Sequence, residues 1–430
     1  MEKTYPRLIE PYIEELLKEL PAISIEGLKG VGKSVTASHF ASTIFELDDQ
    51  RDRVLLENDI DVLAQETPPV LLDEWQRVPA VWDFVRRQVD KRHSPGSYLL
   101  TGSSKNTNLD IHSGAGRILR IRMYPLSLQE RGIEECTVFL TDLFSQEEAF
   151  SAKIHGNTKI GFVEYMNEIV LSGLPDIRRY SDKVRPKMLD TYITYILSHE
   201  FSQQGVRVRQ PHHLLRWLSA YAAAIATDTS YNTILAAATP GEDFKPSSAT
   251  TTSYREALEK FWLLEELPVW LNGEDYFARL KTSAKHYLAD PAIAAYLLNF
   301  DLKSLTRKNT AITPQTVFDD KYGWITGRLF ESLVHLSLRT YAMVNDAKCS
   351  FIRTRNGDHE VDFILQKGRD VVAVEVKMAA QINNEDVKHL KWFREATKDI
   401  VKDCIIIYTG PVAYRREDGI AVVPLSLLGA

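Results

Sequence analysis

Two groups of residues in this chain have the types and spacing to do chemistry. The first lies in "AISIEGLKGVGKSVTASHF", where Gly27, Gly32, Lys33 and Ser34 occupy the fixed places of G-x-x-x-x-G-K-[ST]. In such a loop the backbone N–H groups of Gly27, Leu28, Lys29, Gly30, Val31, Gly32, Lys33, Ser34 and Val35 converge on phosphate oxygens. The helix that starts there adds its positive end. Lys33 is placed to reach the β and γ phosphates of ATP, and Ser34 to hold Mg²⁺. Further on, "PPVLLDEWQRVP" ends a short apolar strand in Asp73 and Glu74. At a strand tip beside a phosphate loop, one carboxylate holds the Mg²⁺ shell and its neighbour polarises the attacking water. Asp73 takes the first role and Glu74 the second. "GSYLLTGSSKN" repeats the strand-then-polar pattern: Thr101, Ser103, Ser104 and Asn106 either sense the γ-phosphate or form a serine-rich turn. Arg117 is a candidate charge stabiliser for the transferred phosphoryl group, in its own subunit or a neighbour's, or else a structural arginine.

The second group lies in "EVDFILQKGRDVVAVEVK", residues 360–377, which reads as two strands and a turn. Strand side chains alternate faces, so Glu360 and Asp362 point together, as do Glu375 and Lys377. If the strands pair, one patch holds two or three carboxylates and an amine. That set suits metal-dependent phosphodiester hydrolysis: Asp362 and Glu375 hold Mg²⁺, the metal lowers the pKa of a bound water, and Lys377 orients or deprotonates it. The alternative is an outward Glu–Lys pair of ordinary strand surface.

The elements that must position these groups can be read from the whole chain. Its 430 residues are too many for one core. A hydrophobic share of 44% and a charged share of 26% are those of a folding globular chain. The net charge of -6 means that nucleic-acid binding must rest on a local basic face. Cys136, Cys349 and Cys404 are widely spaced and form neither a zinc pattern nor a disulfide framework, which fits a reducing cytoplasm. No apolar run of spanning length occurs, so a cytoplasmic protein without membrane attachment is expected. Strands alternating with helices after a phosphate loop predict a parallel α/β sheet with its site at the strand tips.

The middle of the chain is mainly helical. "PHHLLRWLSAYAAAIA" and "TTTSYREALEKFWLLEELPVW" read as two helices, the second leading into a strand, with a polar loop between them. This order suits a helix-turn-helix with a wing. Thr250, Thr252, Ser253 and Arg255 would lie near the exposed start of a groove-reading helix, and Arg279, Lys281 and Lys285 would contact phosphates. Glu256, Glu259, Glu265 and Glu266 oppose DNA there, and a protein contact or ATPase lid is the competing role. Arg353, Arg355, Lys388, Lys391 and Arg394, the last three beside Trp392, are further candidates for a phosphate backbone or for an ordinary solvated face.

Taken in order, "GLKGVGKS", "LLDEWQRVP", "LLTGSS", "GRILRIRMYPLSLQE", "SGLPDIRRY" and "EVDFIL…VAVEVK" resemble the prokaryotic AAA-like P-loop ATPases that carry a C-terminal domain of unknown function. The resemblance covers nearly the whole chain. It implies an AAA-like P-loop NTPase domain with a parallel sheet at 1–160, a helical, winged-helix-like region at 161–310, and a restriction-endonuclease-like α/β domain of the PD-(D/E)xK type at 311–430. In those nucleases a glutamate on the preceding helix joins the metal site, which points to Glu331 in "GRLFESLVHLSLRTYA" beside Asp362, Glu375 and Lys377. The family often has proline where this chain has Val361. The expected function is ATP hydrolysis coupled to a nuclease-like domain acting on DNA, in DNA processing or defence. The alternative is a nucleotide-dependent switch or scaffold whose silent nuclease-like domain binds protein partners. Either form is compatible with a homo-oligomer.

Overall fold

The computed structural model describes residues 5–104, 115–145, 148–201, 211–239, 248–270, 283–307, 320–354 and 357–430. The chain groups into two compact units: residues 1–125 with 256–263, and residues 126–255 with 264–430.

Among the described residues, the first unit is built on five strands: β1 (Ala22–Glu26), β2 (Thr43–Glu46), β3 (Val70–Asp73), β4 (Tyr98–Gly102) and β5 (Leu119–Arg122). All pair in parallel, in the order β2-β3-β4-β1-β5. β1 and β4 are buried on both faces, which explains their unbroken apolar runs "AISI" and "YLL". One side of the sheet packs on Trp75, Val81, Trp82, Phe84 and Val85, with the Trp75 and Trp82 rings 4.6 Å apart. Each such buried side chain contributes about 1.5–3 kcal/mol. A parallel sheet puts every strand's carboxyl end on one edge, and the tips of β1, β3 and β4 are the three that carry the motifs.

The second unit takes in residues 126–131, which are tied into it. Leu126 N–H donates to the Gly173 carbonyl at 2.7 Å, and Leu128 N–H to Ser337 Oγ at 3.1 Å. The fully buried Arg131 guanidinium has its counter-charge in Glu168, at 3.1 Å. Further strands are β6 (Val138–Phe139), β7 (Gly156–Asn157), β8 (Leu264–Leu267), β9 (Lys285–Leu288), β10 (Lys348–Arg353), β11 (Glu360–Lys367), β12 (Asp370–Lys377), β13 (Val401–Tyr408), β14 (Val412–Arg415), β15 (Ala421–Pro424) and β16 (Leu428–Gly429). Helices Pro211–Ala223, Tyr231–Ala238 and Ser248–Lys260 are followed by the antiparallel pair β8–β9.

The C-terminal sheet runs β10-β11-β12-β13-β15-β14-β7. β10, β11 and β12 are antiparallel, whereas β12, β13 and β15 are parallel. The apolar side chains Ile364, Ala373, Cys404, Ile406 and Val422 form its core with Leu390 and Phe393 of helix Lys388–Ala396. The long helix Asp320–Val344 also packs in this unit, burying Leu329, Phe330, Leu333 and Val334. Among the described residues, no helix is long and apolar enough to cross a membrane.

Gly27 shows how tightly β1 constrains the loop that follows it. Its φ is 152°, and a Cβ there would lie 2.2 Å from the Met123 carbonyl oxygen. Met123 cannot retreat easily, because its N–H donates to Glu26 O at 2.8 Å. Gly27→Ala is therefore expected to lower the stability of the first unit by about 1–3 kcal/mol, read as an earlier urea transition; an unchanged transition would show that the loop does not adopt this path.

Candidate functional site

The phosphate loop leaves β1 at Gly27 and enters helix Lys33–Ser38 through Gly32, whose φ of 100° favours glycine. Lys33 Nζ folds back to donate to the carbonyls of Gly27 and Leu28, each at 3.0 Å. From the N-terminal segment, the Arg7 guanidinium donates to Val31 O at 2.5 Å and Tyr124 O at 2.6 Å. Arg7 thus braces the loop, a role that carries no motif in the sequence.

At the tip of β3, Asp73 is hydrogen-bonded by the hydroxyls of Thr101 and Ser34. Burial raises its pKa above the usual carboxylate range, against those two hydroxyls. Glu74 has left-handed backbone geometry, φ 52°, which turns its carboxylate back toward β4. There Ser103 Oγ donates to both of its oxygens, at 2.6 and 2.7 Å, and Gln76 donates to one of them. Thr101 Oγ1 joins the two acids, since it donates to Asp73 and accepts the Glu74 N–H at 3.1 Å. Thr101 and Ser103 therefore face the acids of the neighbouring strand; Ser104 is buried, and Asn106 lies outside the described residues.

Arg117 is not brought to this edge within the chain. The strand that follows it, β5, runs parallel to β1, with Leu119 opposite Ile23 and Arg122 opposite Glu26. Arg117 thus lies in the turn just before β5, on the amino-end side of the strands and away from the loop. There its Nε donates to Asp90 Oδ1 at 2.8 Å.

The C-terminal candidates do converge. β11 and β12 pair antiparallel up to Phe363 opposite Val374, and Asp362 and Glu375 are the next residues on the two strands. Asp362 Oδ2 accepts the Val376 N–H at 3.0 Å. Lys377 Nζ reaches Glu375 Oε1 at 2.7 Å, and Glu331 projects from the long helix into the same cluster. Burial pushes Glu331 up to about 7 and Glu375 up to about 8, against the pull of Lys285 and Lys377 respectively. Asp362 is lowered despite its burial, by Lys285 and the Val376 N–H.

Lys285 corrects the expectation of a phosphate contact. Its residue is 2% exposed, and its Nζ lies 3.2 Å from Glu331 Oε1, 2.8 Å from Glu360 Oε1 and 3.0 Å from Asp362 Oδ1. Burial opposes its charge, but Glu331 and Asp362 reverse that and hold its pKa well above the ordinary lysine value. Two residues along β9, Tyr287 donates to Glu331 Oε1 at 2.6 Å and stacks on His335 at 3.9 Å. Between them His286 turns the other way, bonded to Thr229 O at 2.7 Å. Strand alternation thus aims Lys285 and Tyr287 together at the acids.

The remaining cation candidates are paired. Arg353 meets Asp228 at 2.8 Å, Lys391 meets Asp418 at 2.9 Å, Lys388 meets Glu385 at 3.6 Å, and Arg394 donates to Asp418 O at 2.6 Å. Trp392 stacks on His359 rather than offering an open face. Arg255 lies over the Tyr231 ring, with Thr250 and Thr252 half-buried and Ser253 exposed. Glu265, expected to oppose DNA, is instead buried against Arg339 at 2.9 Å. Arg279, Lys281 and Arg355 lie outside the described residues.

Three family models match separate parts of the chain: an AAA domain over residues 19–132, a domain of unknown function (DUF8612) over 164–304, and a domain of unknown function (DUF4143) over 326–428. No curated protein matches the sequence. Among solved structures, a chain of the Drosophila ORC bound to DNA is similar at 12% identity and a TM-score of 0.21, over 69% of this chain and 96% of that one. A likeness at that level carries no argument. The family matches and the parallel sheet together identify an N-terminal domain of the P-loop ATPase type, with a DUF4143-like domain at the C-terminal end.

The cluster around Lys285 makes a prediction about stability. Glu331→Ala removes one of three acidic partners from a buried ammonium and strands the Tyr287 hydroxyl. The expected cost is about 3–5 kcal/mol, seen as a lowered thermal midpoint of the second unit; a variant that melts like the native chain would remove the cluster's structural role.

Proposed function

We propose that this protein binds and hydrolyses ATP and works as a nucleotide-dependent switch, in which the nuclease-like C-terminal domain binds a partner without cutting it. The observation that carries the nucleotide reading is the meeting of Ser34, Asp73 and Glu74 at one sheet edge, joined by Thr101. The hydroxyl of Ser34 and the carboxylate of Asp73 are already hydrogen-bonded, so this pair fits a Mg²⁺ shell, and Mg²⁺ would there neutralise phosphate charge. Lys33 would exchange its loop carbonyls for the β and γ phosphates. Glu74, aimed by Ser103 and Gln76, would polarise the attacking water. Because Thr101 lies at the end of β4 and Ser103 directly follows that strand, a shift of the strand's tip on phosphate binding would reach both acids at once, which is how hydrolysis would set the switch. The three helices followed by the β8–β9 ribbon support a winged-helix-like relay in the middle region.

The convergence of Glu331, Asp362, Glu375 and Lys377 supports a second reading, a nuclease acting on DNA. Glu375 Oε2 is buried and accepts no hydrogen bond among the described residues, as a metal-facing oxygen would. Against it stands Lys285, whose ammonium already sits against Glu331, Glu360 and Asp362.

Two measurements test this. Lys33→Ala is expected to abolish ATP binding, whereas Glu74→Gln keeps binding and lowers turnover by about two to four powers of ten; normal hydrolysis by both variants would dismiss the site. Incubation of single-stranded, duplex and branched DNA with Mg²⁺ or Mn²⁺, with and without ATP, is expected to leave every substrate intact. Cleavage lost in Asp362→Ala and Lys377→Ala would install the nuclease instead.

A further inference from the structure

We infer that Lys285 is the built-in cation of the C-terminal acidic cluster: its ammonium stands where the nuclease-like arrangement would hold a divalent metal ion, so the native chain takes up no metal there, and removal of that side chain opens a latent site. The inference rests on the silent C-terminal domain proposed above and gives its physical cause.

Geometry is the first support. The three acids approach Nζ at 2.8–3.2 Å, the spacing of charge-assisted hydrogen bonds. Mg²⁺ requires oxygens at about 2.0–2.1 Å in a near-octahedral set. Among the described residues, no group of three or more His, Cys, Asp or Glu side chains is arranged to hold a metal. Both oxygens of Asp362 are also committed, one to Lys285 and the other to the Val376 N–H.

Charge is the second support. A divalent ion entering beside a buried ammonium meets repulsion in a medium that screens poorly. With Lys377 already against Glu375, two lysines stand among four acids, Glu331, Glu360, Asp362 and Glu375. Nor can Lys285 easily leave: β9 is hydrogen-bonded to β8, and Tyr287 anchors the same strand to Glu331.

The third support concerns what would remain without Lys285. Glu331 Oε1 and Asp362 Oδ1 would lose their cation, and Glu375 Oε2, already without a hydrogen-bond partner, lies buried in the same cluster. Glu331, Glu360 and Asp362, the three carboxylates around the space vacated by the ammonium, are the oxygen-rich surroundings that Mn²⁺ and Mg²⁺ prefer, with Glu375 next to them.

The test is Mn²⁺ binding by the full chain without nucleotide, followed by electron paramagnetic resonance and calorimetry. Native protein and Asp362→Asn are expected to take up the same amount of Mn²⁺. Lys285→Ala is expected to gain a site with affinity raised by roughly tenfold or more, and Lys285→Ala with Asp362→Asn to lose it again. Mn²⁺ uptake by the native chain that Asp362→Asn abolishes would overturn the inference, as would a folded Lys285→Ala that gains nothing. Should Lys285→Ala fail to fold, Lys285→Met keeps the aliphatic stem, and the native comparison with Asp362→Asn still decides. Metal uptake and cleavage fail separately: a native chain that binds Mn²⁺ through Asp362 yet leaves DNA intact overturns this inference and spares the switch.

Discussion

A buried ammonium persists only when acids surround it, and that constraint organises the C-terminal half of this protein. Lys285 comes from a short ribbon strand, Glu331 from a long helix, and Glu360 and Asp362 from a sheet hairpin. None of these elements could bury its charge alone. Their meeting point sets where β9 lies against the helix, which side of β11 faces it, and where Tyr287 and His335 stack.

The same type of side chain is used in the opposite way at the other site. Lys33 donates to the carbonyls of Gly27 and Leu28, which are neutral acceptors that a polyphosphate outcompetes. Lys285 donates to carboxylates, which it cannot exchange without leaving uncompensated charge in a low-dielectric interior. One lysine thus donates to neutral backbone carbonyls, and the other is held by carboxylates. That difference separates the lysine of the phosphate-loop motif from the lysine at the centre of the C-terminal acidic cluster.

The nucleotide edge depends on backbone geometry more than on charge. Parallel pairing lines up the tips of β1, β3 and β4, and the close pass of Gly27 over Met123 sets the path of the loop. Small hydroxyls then hold the acids: Thr101 spans Asp73 and Glu74, and Ser103 turns Glu74. Arg7 holds the loop from the N-terminal segment, 24 residues away in the chain.

What the sequence by itself determined were the features that depend on near neighbours: the glycine spacing of the loop, the acidic ends of apolar strands, the alternation that puts Glu360 with Asp362 and Glu375 with Lys377, and the helices of the middle region. Local sterics and periodicity decide these, so they are legible within a few residues. Tertiary structure alone decided the rest. Nothing near Arg117 announces that the strand after it starts away from the loop. Likewise "KHYL" shows an alternating strand, but Lys285 meets Glu331 and Asp362 across 46 and 77 residues. Whether a lysine serves a phosphate or neutralises a buried acid depends on which charges the fold brings within about 3 Å, and no local pattern carries that distance.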